Sequence, residues 1–238
     1  MEHNEQNRQK PAFKTITLDE LEIDAKKRLS VIGSEFARGF EFLRNYPKSV
    51  TFFGSSRVKE SDPYYKKAET LAKRIVEEMG YSVIAGGGPG IMEAANKGAY
   101  EAGGTSLGLN IKLPNEQVTN PYVTDSINFY YFFVRKVCLS FSAEAYVFFP
   151  GGFGTLDEMF EIVTLIQTKK IKHVPIILVG KEYWLELEKF IEKNLCASGM
   201  IHKEDMDLYH ITDDEDEIID MIRTTPVQSG VPYGDHHK

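Results

Sequence analysis

The sequence predicts an α/β fold in three layers, a largely parallel sheet with helices on both faces. Short apolar runs rich in β-branched and aromatic residues alternate with helical stretches along most of the chain. Runs such as "VPIILV" are apolar without interruption, as strands covered on both faces are. Three of the runs end in glycine, "FFGSS", "IAGGGPG" and "FFPGGFGT". A parallel sheet gathers such endings on one edge, beyond the carboxyl ends of its strands, where ligands of these sheets bind.

The elements follow in order. Residues 1 to about 14 are polar, are expected to be disordered and do not read as a signal peptide. A long added helix follows from Thr17 to Tyr46. Leu18, Leu21, Ile23, Leu29, Ile32, Phe36, Phe40 and Leu43 recur near helical spacing, and Thr17 with Glu20 forms a capping box. Pro47 ends it, and "SVTFFGSS" is the first strand, broken at Gly54. "DPYYKKAETLAKRIVEEMG" is an amphipathic helix with Asp62 as its cap, Pro63 in its first turn and Gly80 at its end. "YSVIAGGGPG" is a strand running into glycines, "IMEAANKGAYEAGG" a helix and "TSLGLNI" a strand. "INFYYFFVRKVCLSFS" starts as strand and continues as helix. "AYVFFPGG" is a buried strand, "TLDEMFEIVTLIQTKK" a helix, "VPIILVG" a strand and "EYWLELEKFIEKNLCASG" a helix. "LYHIT" is read as a last strand and "DDEDEIIDMI" as a short acidic helix.

Composition narrows the function classes. The chain has 238 residues, 42% hydrophobic and 26% charged, which suits one α/β domain with additions. Its net charge of -7 argues against a nucleic acid polymer as partner, while leaving room for a local pocket holding one phosphate. Cys138 and Cys196 form no CxxC pair, and the six histidines show no ligand spacing, so no metal is expected. No apolar run approaches the ~18 residues of a membrane helix, and the expected location is the cytoplasm.

A glycine turn that opens a helix presents bare N–H groups and the positive helix end, which suits a phosphate. None of the three loops is a Walker A loop, and "GGGPG" is not a clean GxGxxG with an acid placed for a ribose. The plain alternative is that the glycines only make tight turns. Asp157 and Glu158 follow the last loop and are read as lying in the first turn of its helix. Acids there can simply complement the helix dipole, worth roughly 0.3–1 kcal/mol. An acid beside a phosphate loop would nonetheless repel the phosphate, so it suits a different part of a ligand. Arg135 and Lys136 interrupt an apolar stretch and read either as a solvated face or as part of a site.

"GGGPGIMEAANKGA", the "RK" pair and "PGGFGTLDE", in this order and spacing, resemble the LOG ("Lonely Guy") family from about Val50 to Gly199. Many of its relatives carry the label "possible lysine decarboxylase". The resemblance implies a Rossmann-like fold, usually dimeric, and a hydrolase of AMP nucleosidase type acting on a nucleoside 5′-monophosphate. Such an enzyme cleaves the N-glycosidic bond of AMP or an N6-substituted AMP of cytokinin type, releasing base and ribose 5-phosphate without a cofactor. It implies a nucleotide-binding catalytic domain over residues 48–224, between an N-terminal extension (1–47) and a flexible tail (225–238). Arg135 and Glu158 take the catalytic positions. Gly54, Ser55, Glu116, Lys136, Gly151, Gly152, Phe153, Gly154, Thr155 and Thr164 take the substrate-binding positions. Phe132 stands where the family often has Met, and Asp157 where it often has Glu. The chemistry agrees: breaking a ribosyl C–N bond passes through an oxocarbenium-like state that a carboxylate can stabilise.

Two other readings compete. Molybdenum-cofactor carriers look similar in fold and glycine loops and would make the chain a non-catalytic binder. Lysine decarboxylation would need a Schiff-base lysine and a pyridoxal phosphate site, and no lysine stands in a credible pocket for one.

Overall fold

The computed structural model describes residues 17–112 and 118–225. Its strands are β1 (Ser49–Phe53), β2 (Ser82–Ala85), β3 (Ser106–Ile111), β4 (Asp125–Phe129), β5 (Ala145–Phe148), β6 (Ile176–Leu178) and β7 (His210–Ile211). The helices are α1 (Leu18–Arg44), α2 (Pro63–Met79), α3 (Ile91–Glu101), α4 (Phe132–Ser140), α5 (Phe153–Gln167), α6 (Lys181–Ile191) and α7 (Glu215–Thr224). The strands form one seven-stranded sheet in the order β4-β3-β2-β1-β5-β6-β7, and every pairing is parallel. The expected α/β architecture with its added N-terminal helix is therefore present.

The period-2 geometry of a strand divides its side chains between two helical layers. Ala145 and Val147 of β5 join Val50, Phe52 and Val83 under α2, α3 and α7. Tyr146 and Phe148 point the other way, where Met159, Ile162 and Trp184 of α5 and α6 cover them. Ile84, Leu107 and Leu109 face α4 and the second half of α1. Every strand from β1 to β6 except β4 is buried along nearly its whole length, which is why these runs carry no polar alternation. Strand β4 lies on the sheet edge and reads polar at its start, with Asp125, Ser126 and Asn128 exposed.

The local signals act as read. Asp62 accepts from Tyr64 N at 2.8 Å, and Gly80 closes α2 with φ +66°. Thr17 and Glu20 form the capping box of α1. Two boundaries differ from the sequence reading. Helix α6 gives way to a π-turn over Glu192–Cys196 instead of continuing regularly. Helix α5 starts at Phe153, two residues earlier than the pattern suggests, because the glycine loop itself winds into the first turn. Asp157 and Glu158 consequently lie beyond that first turn, which contains no acid, and dipole compensation loses most of its force as their explanation.

Helix α1 is welded to the body only through its second half. Ile32, Phe36 and Leu43 pack with Phe129, Val134 and Cys138. Gly39 allows the close approach, since a Cβ there would collide with the Cys138 sulfur and the Phe129 ring. Glu35 is buried, and its two carboxylate oxygens accept from Tyr130 N at 2.7 Å and Tyr131 N at 3.1 Å. Tyr131 is the N-cap of α4 and its own side chain caps nothing, so α1 supplies the cap from outside. Removing a charged acceptor from two part-buried donors costs about 1.5–3 kcal/mol. Glu35→Ala is expected to lower stability by that amount with little change in denaturant m-value, and Glu35→Gln by less. Chemical denaturation of the three proteins tests this, and a loss under about 0.5 kcal/mol for the alanine variant would remove the capping role.

Candidate active site

The chain leaves β1 toward β2 on one side of the sheet and later returns through α4 to place β5 on β1's other side. The connections therefore diverge between β1 and β5, and a crevice opens at their carboxyl ends. The loops after both strands border it. Ser55 N donates to Pro150 O at 3.0 Å, and Phe149 N to Phe53 O at 2.8 Å. The loop after β2 joins them, with Ile91 N donating to Ser55 O at 3.1 Å. Gly90 has φ +73°, and a Cβ there would run into the Ser55 carbonyl, so glycine is required for the loops to lock together. Tyr183 of α6 adds an O–H bond to Gly151 O at 2.7 Å.

Gly152 and Gly154 differ from these tightly packed glycines. Neither has positive φ, and a Cβ added at either would meet nothing within 4 Å. Among the described residues nothing requires glycine at these two positions. Helix α5 opens here with Gly152 as N-cap and no side-chain cap; Thr155 N and Leu156 N donate to Gly152 O at 3.0 and 3.2 Å, which leaves the amides of Phe153 and Gly154 at the positive helix end. Thr155 is buried beneath the loop, its hydroxyl occupying the space a side chain on Gly151 would take. Phe153 is 93% exposed.

Glu158 comes from the same helix and turns inward. It is 7% exposed, and its Oε2 has no hydrogen-bond partner among the described residues. Burial pushes its carboxyl up to about 7, against the pull of Arg135 and Lys136. Arg135 arrives from α4. Its Nε donates to Leu109 O at 2.7 Å, and its Nη2 fills the space above Gly86 that any larger residue would occupy. Burial lowers the Arg135 pKa, while attraction to Glu158 works the other way. Asp157, one residue before Glu158, points about 100° away and is exposed. The structure thus separates two neighbouring acids into a buried one on the side of Arg135 and an exposed one paired with Lys136.

Lys136 takes a different direction from Arg135. Its Nζ lies 2.7 Å from both Asp157 Oδ2 and Glu161 Oε2. With Thr164, Phe133, Phe160 and Leu165 it lines an open groove of about 430 Å³ between α4 and α5. Arg135, Glu158, Gly54, Ser55 and the Gly151–Thr155 loop converge on the strand-end edge, whereas Lys136 and Thr164 share the adjoining groove. Glu116 lies outside the described residues. The Lys136–Asp157–Glu161 cluster was not foreseen from sequence. Its only signal is that two acids four residues apart on α5 present one face to α4.

A carboxyl raised in the folded state binds its proton more tightly there than when unfolded. Its contribution to stability is complete below the ordinary pKa of 4.5 and is lost as pH rises through about 7. Glu158→Gln, which cannot ionise, is expected to gain stability relative to the parent between pH 4.5 and 8. The gain is on the order of 3 kcal/mol, at about 1.4 kcal/mol for each tenfold difference in proton affinity between the folded and unfolded carboxyl. Denaturation midpoints of both proteins across that range check the sign, and a parallel pH dependence would show that Glu158 has an ordinary carboxyl.

A family model described as "Possible lysine decarboxylase" matches residues 92–222. The chain is 26% identical over 194 residues to the Arabidopsis thaliana protein named cytokinin riboside 5′-monophosphate phosphoribohydrolase LOG5, covering 80% of this chain and 84% of that one. A protein of Rhodococcoides fascians with the same enzyme name is 27% identical over 163 residues, covering 66% and 80% respectively. Among solved structures, the molybdenum cofactor carrier protein of Chlamydomonas reinhardtii superposes with a TM-score of 0.55 at 25% identity, over 75% of this chain and 97% of that one. The molybdenum cofactor binding protein of Rippkaea orientalis gives 0.54 at 19% identity, over 74% and 96%, a likeness of fold alone. The glycine loops, the inward acid and the facing arginine thus stand in a chain that belongs to the LOG family, whose model bears the lysine decarboxylase description.

Proposed function

We propose that this protein hydrolyses the N-glycosidic bond of a purine nucleoside 5′-monophosphate, AMP or an N6-substituted AMP, to the free base and ribose 5-phosphate. The observation that carries the reading is the buried Glu158 carboxyl, whose Oε2 has no partner among the described residues and which feels the charge of Arg135, about one turn into the helix that opens with the glycine loop. The amides of Gly152, Phe153 and Gly154 hold the 5′-phosphate, and Thr155 adds its hydroxyl. The sugar then extends over the site toward Glu158. As the C1′–N bond breaks, the electron pair leaves with the base and positive charge develops on C1′ and the ring oxygen. The Glu158 carboxylate stabilises that charge and takes a proton from the water that adds to C1′; the departing base takes up a proton from solvent, and Glu158 gives its own back to solvent, which closes the balance. The positive charge of Arg135 favours the ionised form of Glu158 and partly offsets its burial. The names of relatives support this chemistry. The second reading, a non-catalytic carrier, is favoured by the names of structural neighbours. It leaves the buried acid unexplained, since an anion carrier gains nothing from a carboxylate beside its ligand.

The purified protein is expected to release adenine from AMP without added metal or coenzyme, and far more slowly from adenosine, which lacks the anchoring phosphate. Equal kcat/KM on the two would remove the phosphate anchor from the mechanism. Glu158→Gln is expected to abolish turnover while AMP binding persists, and Asp157→Asn to keep most of it. The acid limb of kcat/KM is expected near pH 7, where Glu158 ionises, apart from the substrate phosphate's own titration near pH 6.

The two open glycines give a test with opposite signs. Gly154→Ala meets no clash and sits inside α5, so it is expected to leave stability unchanged or raise it by up to about 1 kcal/mol. A methyl group over the loop is expected at the same time to weaken AMP binding at least tenfold. Thermal denaturation and equilibrium binding on one preparation measure both. Unchanged affinity would mean that no phosphate rests on this backbone.

A further inference from the structure

The first half of α1 leaves an apolar stripe that nothing in the described chain covers. Leu18 is 84% exposed, Leu21 50% and Leu29 67%, with the small Ala25 between them also exposed. Ile32 continues the stripe onto the body, where it is half-buried. On a helix turning about 100° per residue these five positions share one face. Ile23 and Val31, also exposed, lie on the opposite side. About 20 Å of helix before Ile32 stands clear of the sheet domain, at 1.5 Å per residue. Well-formed ends hold this segment as helix: the Thr17–Glu20 box at the start, and the buried Glu35 and Gly39 contacts downstream.

The spacing of the stripe is the same read in either direction. Leu18, Leu21, Ala25, Leu29 and Ile32 stand at seven and four residues on each side of Ala25. An antiparallel copy centred on Ala25 therefore sets Leu21 against Leu29 and Leu18 against Ile32, twice over, with the smallest side chain at the crossing point. The flanking charges are segregated to match. Asp19, Glu20, Glu22 and Asp24 precede Ala25, and Lys26, Lys27 and Arg28 follow it. Antiparallel pairing brings Glu22 beside Lys26 of the second copy and Asp24 beside Arg28 of the second copy, on the two flanks of the stripe. Parallel pairing would instead face acids with acids and bases with bases. A two-fold contact must be self-complementary, and this segment meets that condition in both apolar spacing and charge.

We propose that the projecting half of α1 is a self-association arm, which pairs antiparallel with the same segment of a second copy of this chain about a two-fold axis at Ala25. So short a stripe buries less than the ~1,200 Å² of a stable specific interface. The arm therefore adds to a contact between the bodies instead of forming the assembly alone. Exposed Phe132 and Phe133 of α4 provide apolar surface beside it, with Phe133 against Phe36 of α1 at 6.4 Å between ring centroids. The sixteen residues before Thr17 are a weaker occupant, since they offer few large apolar side chains beyond Phe13 and Ile16. This inference is independent of the proposed hydrolysis.

The test places single cysteines in the full-length chain, with Cys196→Ser removing the accessible native thiol and buried Cys138 left in place. Ala25→Cys is expected to form an interchain disulfide under mild oxidation at micromolar concentration, and Ile23→Cys, on the far face, to form at least tenfold less. Circular dichroism confirms that both variants are folded. Glu22→Lys with Asp24→Lys is expected to abolish the Ala25→Cys crosslink, and adding Lys26→Glu with Arg28→Glu to restore it. Absence of the crosslink in the folded Ala25→Cys protein up to 100-fold higher concentration overturns the proposal. So does equal crosslinking at Ile23→Cys, or a crosslink that appears only when residues 1–16 are deleted, which would assign the stripe to the chain's own preceding segment.

Discussion

The strand order imposes a constraint on which the site depends: β1 must part from its two neighbours' connections at its carboxyl end. One connection leaves for α2 and β2, the other arrives through α4 and β5, and no side chain of regular structure can fill the space between them. The chain manages the edge with backbone. Pro150 O, Ser55 O and Phe53 O are all spent on amides of neighbouring loops, which fixes three glycine loops into one rigid rim. What remains over Gly152 and Gly154 is backbone over which a Cβ would meet no described residue within 4 Å, at the positive end of a helix. Tight glycines make the rim, and open glycines leave it accessible. That division separates glycine needed for folding from glycine whose need lies outside the fold.

Support for the buried acid runs outward from the same edge. An unpartnered carboxylate oxygen is a cost the fold must carry, and burial expresses it as a pKa near 7. Arg135 reduces that cost only if its guanidinium is held, and Leu109 O and the gap at Gly86 hold it. Helix α4, which carries Arg135, is held in turn by Glu35 from α1 at its uncapped start. The N-terminal helix, although outside the resemblance to the family core, thus reaches the site through one carboxylate and one helix end.

Much of this was legible in the sequence, because the signals are local. Strand ends in "FFGSS" and "FFPGGFGT", the Asp62 and Thr17 caps and the Gly80 stop follow from backbone chemistry that neighbouring residues decide. Choosing Glu158 over Asp157 needed the family resemblance, since both are acids and only the burial of one and the exposure of the other distinguish them. The start of α5 was misplaced because glycines suggest a loop, yet Phe153 and Gly154 are already helical. The ion cluster of Lys136 with Asp157 and Glu161 joins residues from two helices, and the i,i+4 spacing of the two acids shows a shared face but not the lysine that meets it. Periodicity found the stripe of α1 but could not say that its second half meets the body and its first half does not.

The electrostatics of α5 bear on the choice between carriage and chemistry. One helix presents a positive end at Gly152–Thr155 and, about one turn further along, a buried negative group at Glu158. Helical side chains lean toward the N-terminus, so the carboxyl is inclined toward the loop and not away from it. For an anion alone this arrangement is self-defeating, because the acid opposes what the helix end attracts. It becomes consistent for a ligand with separated charges, negative at one end and turning positive a ring's length away. A ribose 5-phosphate unit losing its base has that distribution only while the C1′–N bond is breaking. On the proposed hydrolysis the site would be matched to a charge pattern absent from the ground state, which is the physical content of transition-state complementarity.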